Sequence, residues 1–216
     1  ETGRLLSEIS IETLDIKKIS ILSGPSFANE VIKGMPTALS LANDIQKPLQ
    51  IGKLFKGTNI RIYYSKNIKT LEILGVVKNI YAIGAGILEA LKMGENARAS
   101  FITRCASEMQ FMLKKSNLHD KKILSLAGIG DLVLTCSSIK SRNFSFGKKF
   151  ILTQSGKNIS FNKNTIEGLN SIVTIKKVLN LNLKDLPIIA SIINVIKGRS
   201  VKDEVNTLLK RKFKYE

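Results

Sequence analysis

Three groups of residues in this chain of 216 have types and spacings that can do chemistry. The first is Lys78, set with Asn79 inside the otherwise nearly all-apolar stretch Ile73 to Leu91. Burial disfavours the charged form of a lysine, so a buried ammonium steadied by a carboxylate could move a proton near neutral pH. The same side chain could also snorkel along the helix to solvent, and this segment alone leaves both readings open. The second group runs from Leu126 to Gly147: Gly128, Gly130 and Asp131, then Thr135, then Ser141, Arg142 and Asn143. Two glycines before an acid permit a tight backbone turn that presents Asp131 inward. A serine, an arginine and an asparagine in sequence offer a hydroxyl, a fork and an amide to one anion. The third group is Gly24, Pro25, Ser26, Phe27, Ala28 and Glu30, a strand-to-helix turn whose open amides and serine could meet an anion. By itself this last group reads better as an ordinary turn and N-cap.

The remaining reactive residue types are sparse. Cys105 and Cys136 sit in apolar or small-residue contexts without a CxxC partner or a ligand-spaced histidine, which indicates reduced core thiols and no metal site. His119 is the lone histidine and has no triad partner. Lys and Arg total 34 against 17 Asp and Glu, a net charge of +17. The lysines are scattered over helical faces and loops without an aromatic stacking platform, so a generic basic surface is favoured over a nucleic-acid site.

Elements that could position these groups follow from the hydrophobic pattern. Leu5 to Leu14 reads as the end of a helix, Ile16 to Leu22 as a strand, and Ser26 to Lys33 as a helix after the Gly-Pro turn. Thr37 to Leu41 reads as a strand, Ile45 to Phe55 as an amphipathic helix, and Ile60 to Ser65 as a strand. This is the tail of an α/β domain, residues 1–69. Beyond it the pattern turns helical, over Ile73 to Leu91, Ala97 to Lys115, Ser171 to Leu179, Pro187 to Ile196 and Val201 to Phe213. Residues 70–216 are therefore expected to form an all-helical domain. The apolar stretch at Ile73 is long enough to span a bilayer, yet Lys78 within it costs about 2.5 to 3.5 kcal/mol on insertion scales, which favours a buried core helix. The chain opens on Glu1 without a secretory pattern, so it is expected to begin part-way through a product and to be cytoplasmic.

Taken in order, the blocks ETGRLLSEI, LSGPSFANE, GVVKNIYAIGAG, GENARASFITRCASEM, LAGIGDLVLTCSS, SRNFSFG and IEGL resemble the bacterial-type NAD(P)-dependent glycerol-3-phosphate dehydrogenases over essentially the whole chain. The resemblance implies an α/β remnant of a Rossmann-like domain followed by an all-α substrate domain. It implies that Lys78 is the catalytic proton donor or acceptor and that Asp131, Ser141, Arg142 and Asn143 hold the substrate. Gly24 and Ser26 would touch substrate as well, while Ala28, Arg142 and Glu167 would touch the dinucleotide, NAD or NADP. The implied partner is a small phosphate substrate, with no nucleic acid and no membrane span, and a homodimer is allowed.

The chain departs from the family at one point. The GxGxxG turn that cradles the pyrophosphate, and a lysine-glycine pair expected just before the segment matching Glu1, are absent from this sequence. Gly84-Ala85-Gly86 and Gly128-Ile129-Gly130 imitate the start of that turn, but positions 89 and 133 are Glu and Val, so both read as packing or turn glycines. These residues alone are accordingly expected not to bind NAD(P)H tightly. A binding module without catalysis and a basic helical nucleic-acid binder remain as alternative readings.

Overall fold

In the computed structural model, which describes residues 3–43, 48–154, 168, 171, 175, 178, 179 and 181–211, the first third of the chain builds a three-stranded sheet. After α1 (Leu6–Thr13), β1 (Ser20–Ser23) leads through α2 (Ala28–Ile32) to β2 (Thr37–Asn43). The two strands pair antiparallel, Ile21 opposite Ala42 and Ser23 opposite Ser40. A parallel neighbour requires a crossover. The described part of it is α3 (Pro48–Gly52) and a 3₁₀ turn, Lys53–Phe55, which bring β3 (Ile60–Ser65) beside β2 with Leu39 opposite Ile62. β2 is the central strand and its last five residues are buried.

The described residues from Ile68 onward form only helices and turns. They are α4 (Ile68–Ala90), α5 (Glu95–Lys115), α6 (Asp131–Cys136), α7 (Arg142–Gln154), α8 (Pro187–Ile196) and α9 (Val201–Leu209). The α/β remnant followed by a helical domain thus appears as expected, with shifted ends. α4 begins five residues before Ile73, because the register of its first turn is set by tertiary contact with the sheet: Leu71, Ala42 of β2 and Ala127 form a small buried cluster. β1 starts at Ser20, four residues late, and is only as long as its partner segment in β2. The helix expected over Ile45 to Phe55 is broken into α3 and the 3₁₀ turn at Gly52, the residue type that costs most in a helix interior. The α9 helix stops at Leu209, and most of the expected Ser171 to Leu179 helix lies outside the described residues.

Why α4 is buried all round follows from its composition. A helix apolar on every face has no side to give to water, so others must surround it. Val77, Ile80, Tyr81, Ala82, Ile83 and Ala85 are all fully buried. By length and composition the helix could cross a membrane, but 72% of its most apolar stretch is covered by the rest of the protein. Its glycines let α7 approach at backbone distance. A Cβ added at Gly86 would fall 2.0 Å from the Phe144 carbonyl oxygen, and one at Gly147 would fall 2.0 Å from that of Ile83. The Gly84-Ala85-Gly86 run is therefore a packing feature. Gly128 is likewise a packing glycine, with the Ile123 carbonyl oxygen 2.2 Å from where its Cβ would stand.

Two buried carboxylates orient α4's neighbours. Glu72 accepts from the Ser7 amide at 2.8 Å and from the Ser7 hydroxyl, tying the first turn of α1 to α4. Glu108 on α5 accepts from the Ile188 and Ile189 amides at 2.9 and 3.0 Å and from the Tyr81 hydroxyl at 3.2 Å. One carboxylate thereby satisfies the open amides of α8 and joins it to α5 and α4. Burial pushes the Glu108 carboxyl up, the amide and phenol donors pulling it partly back down.

Because the α4–α7 contact is made at backbone distance, Gly147→Ala should destabilise the protein by about 1 to 3 kcal/mol, the usual cost of overpacking a core. Urea denaturation followed by circular dichroism reads this directly, and an unchanged midpoint would show that the two helices do not touch there.

Candidate active site

Lys78 projects from the middle of α4, and its ammonium forms an ion pair and hydrogen bond with Asp131 Oδ2. The lysine side chain is 20% exposed and the aspartate 4%, so the pair is open to solvent on the lysine side only. Of the two sequence readings, the geometry matches the ammonium steadied by a carboxylate: Lys78 is half-buried and paired.

Local backbone geometry delivers Asp131. Leu126–Gly130 forms a π-helical turn in which Gly128 leaves helical space, φ −89° and ψ −106°. The Ser125 hydroxyl donates to the Lys122 carbonyl at 2.6 Å and accepts from the Gly128 amide at 3.2 Å, which fixes the turn from below. Asp131 then opens α6 as the acid of its first turn, where a negative charge is favoured. Thr135, one turn further on, donates to Asp131 Oδ1 at 3.2 Å. Each oxygen of Asp131 thus has its own donor. Burial nevertheless raises the Asp131 carboxyl above the ordinary carboxylate range, Lys78 and Thr135 offsetting only part of the rise. The neighbouring Cys136 thiol, and Cys105 beyond it, are pushed well up by burial, which keeps both as unreactive thiols at neutral pH.

The Gly24 to Glu30 segment lies against the same region. Gly75, one turn before Lys78, is close to β1, since a Cβ added there would be 3.7 Å from Ser23 Oγ. A Cβ at Gly130, next to Asp131, would be 3.6 Å from the Pro25 ring. Gly24 itself is buried with φ +146°, a conformation in which any side chain would also press on Leu39 at 3.2 Å. Ser26 is exposed, and its hydroxyl donates to the Gly24 carbonyl at 3.1 Å rather than capping α2; Phe27 takes the cap position instead. Ala28, at the start of α2, is exposed.

Ser141, Arg142 and Asn143 start α7, and consecutive helical positions point them in different directions. Ser141 is buried and caps the helix, its hydroxyl oxygen accepting from the Phe144 amide at 3.3 Å. Arg142 is exposed. Asn143 is buried, and its Oδ1 accepts from the Gly168 amide at 2.9 Å. This bond brings Gly168 to the site; Glu167 lies outside the described residues. Thr135 and Asn79 were not assigned a role from the sequence. The four-residue spacing from Asp131 to Thr135, which puts them on one helix face, was the available signal for Thr135. Asn79 is buried beside Lys78, with its carbonyl oxygen 2.7 Å from where a Cβ on Gly168 would stand. Among the described residues no group of three His, Cys, Asp or Glu side chains is placed to hold a metal ion.

A three-stranded sheet followed by a helical part, with a half-buried lysine–carboxylate pair near where they meet, defines the class as α/β followed by all-α. The family model for the NAD-dependent glycerol-3-phosphate dehydrogenase C-terminus matches residues 67–206, and that for the N-terminus of the same enzymes matches residues 1–48. The chain belongs to the NAD-dependent glycerol-3-phosphate dehydrogenase family. It is 35% identical over 218 residues to glycerol-3-phosphate dehydrogenase (NAD(P)+) of Erythrobacter litoralis, covering all of this chain and 66% of that protein. The same-named protein of Zymomonas mobilis is 35% identical over 225 residues, with 64% of its length covered. The crystal structure of the Coxiella burnetii glycerol-3-phosphate dehydrogenase superposes with a TM-score of 0.79 at 31% identity, over 98% of this chain and 66% of that one. The chain thus spans just under two-thirds of the length of these relatives.

The raised Asp131 carboxyl has a pH consequence. The folded state holds that proton more tightly than the unfolded chain does, so stability from this group rises as pH falls from Asp131's raised pKa to the ordinary value near ~4, and is lost again as pH rises through the raised pKa. Asp131→Asn should remove that component and flatten the dependence of the urea midpoint between pH 7 and pH 4. A variant with the parent's slope would place the titration elsewhere, Glu108 being the other raised carboxyl.

Proposed function

We propose that this chain carries the substrate-handling site of a cytoplasmic oxidoreductase that interconverts sn-glycerol 3-phosphate and dihydroxyacetone phosphate with NAD or NADP, a reaction that feeds glycerophospholipid synthesis. The observation that carries the reading is the half-buried Lys78–Asp131 pair. It stands beside a loop containing Gly24 and Ser26 and belongs to a chain of this family. In this reading Lys78 gives a proton to the substrate C2 oxygen during reduction and takes it back during oxidation. Asp131 fixes the ammonium, and Thr135 fixes Asp131. Arg142 supplies a planar fork for the phosphate. Ser141 sets the start of the helix that carries Arg142, and Asn143, with Oδ1 taken by Gly168, offers its amide nitrogen to the substrate. Gly24 and Ser26 close the opposite side. The net charge of +17 favours encounter with a dianion.

The dinucleotide, when bound, supplies or accepts the hydride at substrate C2. The residues here fit its reacting end only: exposed Ala28 leaves room for a flat ring beside the loop, and Arg142 and Glu167 complete that side in the proposal. The glycine runs that imitate a pyrophosphate turn are occupied by backbone packing in α4 and below α6.

Three measurements test this reading. In turnover assays with dihydroxyacetone phosphate and saturating NADH or NADPH, Lys78→Met should lower kcat by ~10² to 10⁴, and it should lower stability as well because Asp131 loses its cation. A kcat within a few-fold of the parent would remove Lys78 from the proton path. Arg142→Lys keeps the charge but loses the fork, so substrate KM should rise by roughly one to two orders of magnitude. In calorimetry the 216-residue chain should bind NADH only weakly, and micromolar affinity would show that another segment of it cradles the pyrophosphate.

A further inference from the structure

Glu30, at the end of the Gly24 turn group, and Lys140, which has no role above, are 110 residues apart, yet Lys140 Nζ meets Glu30 Oε1 at 2.5 Å. The same ammonium stands 5.8 Å from the centroid of the Phe27 ring. It therefore grips α2 on both sides of Ala28, at the residue before the helix and at its third position. The α2 helix has five residues and none is buried, so it has little stability of its own. Its approach is held where Gly24 packs on Leu39 and Pro25 on Gly130. Lys140 in turn sits on a fixed backbone, its amide bonded to Ser138 Oγ at 3.2 Å and the Ser141 amide to the Ser138 carbonyl at 3.0 Å. Two residues later comes Arg142.

We propose that Lys140 is a positioning residue: by clamping Phe27 and Glu30 it sets the width of the opening between the Gly24–Ala28 loop and Arg142. This rests on the reading that those residues face one phosphate-bearing substrate. Both partners are exposed, 37% for Glu30 and 56% for Lys140, so the pair is screened and adds little to global stability. Its effect falls on a segment that little else holds, and so on local order and on ligand affinity.

The test uses the 216-residue chain as parent, Glu30→Lys, Lys140→Glu and the doubly exchanged variant. Hydrogen exchange by mass spectrometry reads the order of residues 24–32, and calorimetry reads binding of sn-glycerol 3-phosphate. Each single variant places like charges together and should speed exchange in this segment and weaken binding about three- to tenfold. The double exchange should bring both readouts back toward the parent but not fully to it, because the ion pair is restored with its sense reversed while the cation–π contact with Phe27 is lost. Added salt should shrink the difference between parent and single variants. Parental exchange rates in the single variants, or a double variant no closer to the parent than they are, would overturn the clamp. A double variant that regains protection without regaining binding would also overturn it, making Lys140 a direct ligand of the anion. If the parent shows no binding of sn-glycerol 3-phosphate, the substrate reading fails while exchange still decides the clamp.

Discussion

The structure depends on a helix that cannot face water. Because α4 is apolar on every side, it must be enclosed, and the sheet, α5, α6, α7 and α8 are arranged as its enclosure. Close enclosure needs small residues where backbones meet, which is why Gly86 and Gly147 face the carbonyls of Phe144 and Ile83. A lysine in such a helix is acceptable only at a point where the enclosure opens and a carboxylate waits. Lys78 has both, a partly exposed side chain and Asp131.

That constraint links packing to chemistry. The backbone departure at Gly128 lets α6 begin with Asp131 beneath Lys78, and Thr135 holds the carboxylate's other oxygen. Close contact of α7 with α4 brings Asn143 and Gly168 to Asn79, next to Lys78, while Pro25 against Gly130 brings in the loop from the sheet. Each of these contacts is a steric or hydrogen-bonding consequence of enclosing one helix. Away from the site, Glu108 and Glu72 perform a related service by satisfying the first amides of α8 and α1, and so fix how those helices meet α4 and α5. A buried carboxylate accepting from several donors costs less than its desolvation alone would suggest, and losing one such partner would leave open amides in the core.

Much of this was readable from residue order. An all-apolar run of helical length interrupted by Lys78 implied a core helix with one exceptional residue, since burial is decided by composition and period. The strands were placed to within a few residues, because alternation and β-branched residues act locally. The glycines at 84, 86, 128 and 130 could be set aside as cofactor glycines on spacing alone, and the close contacts at 84, 86 and 128 show packing there. The seven ordered blocks, taken together, carried the family.

Spatial convergence was decided only by tertiary structure. Nothing local says that residue 78 meets residue 131, that the turn at Pro25 lies on Gly130, or that Asn143 reaches Gly168, because those contacts depend on how α4, α6 and α7 cross. Three neighbours in sequence, Ser141, Arg142 and Asn143, share a chemistry but not a direction, since helical rotation turns two of them inward and leaves the arginine outside. Helix ends shifted for the same reason: α4 starts at Ile68 because Leu71 packs on Ala42 and Ala127, a contact invisible to a local pattern. Composition and period set what must be buried; the crossing of the helices set which buried and half-buried groups would meet.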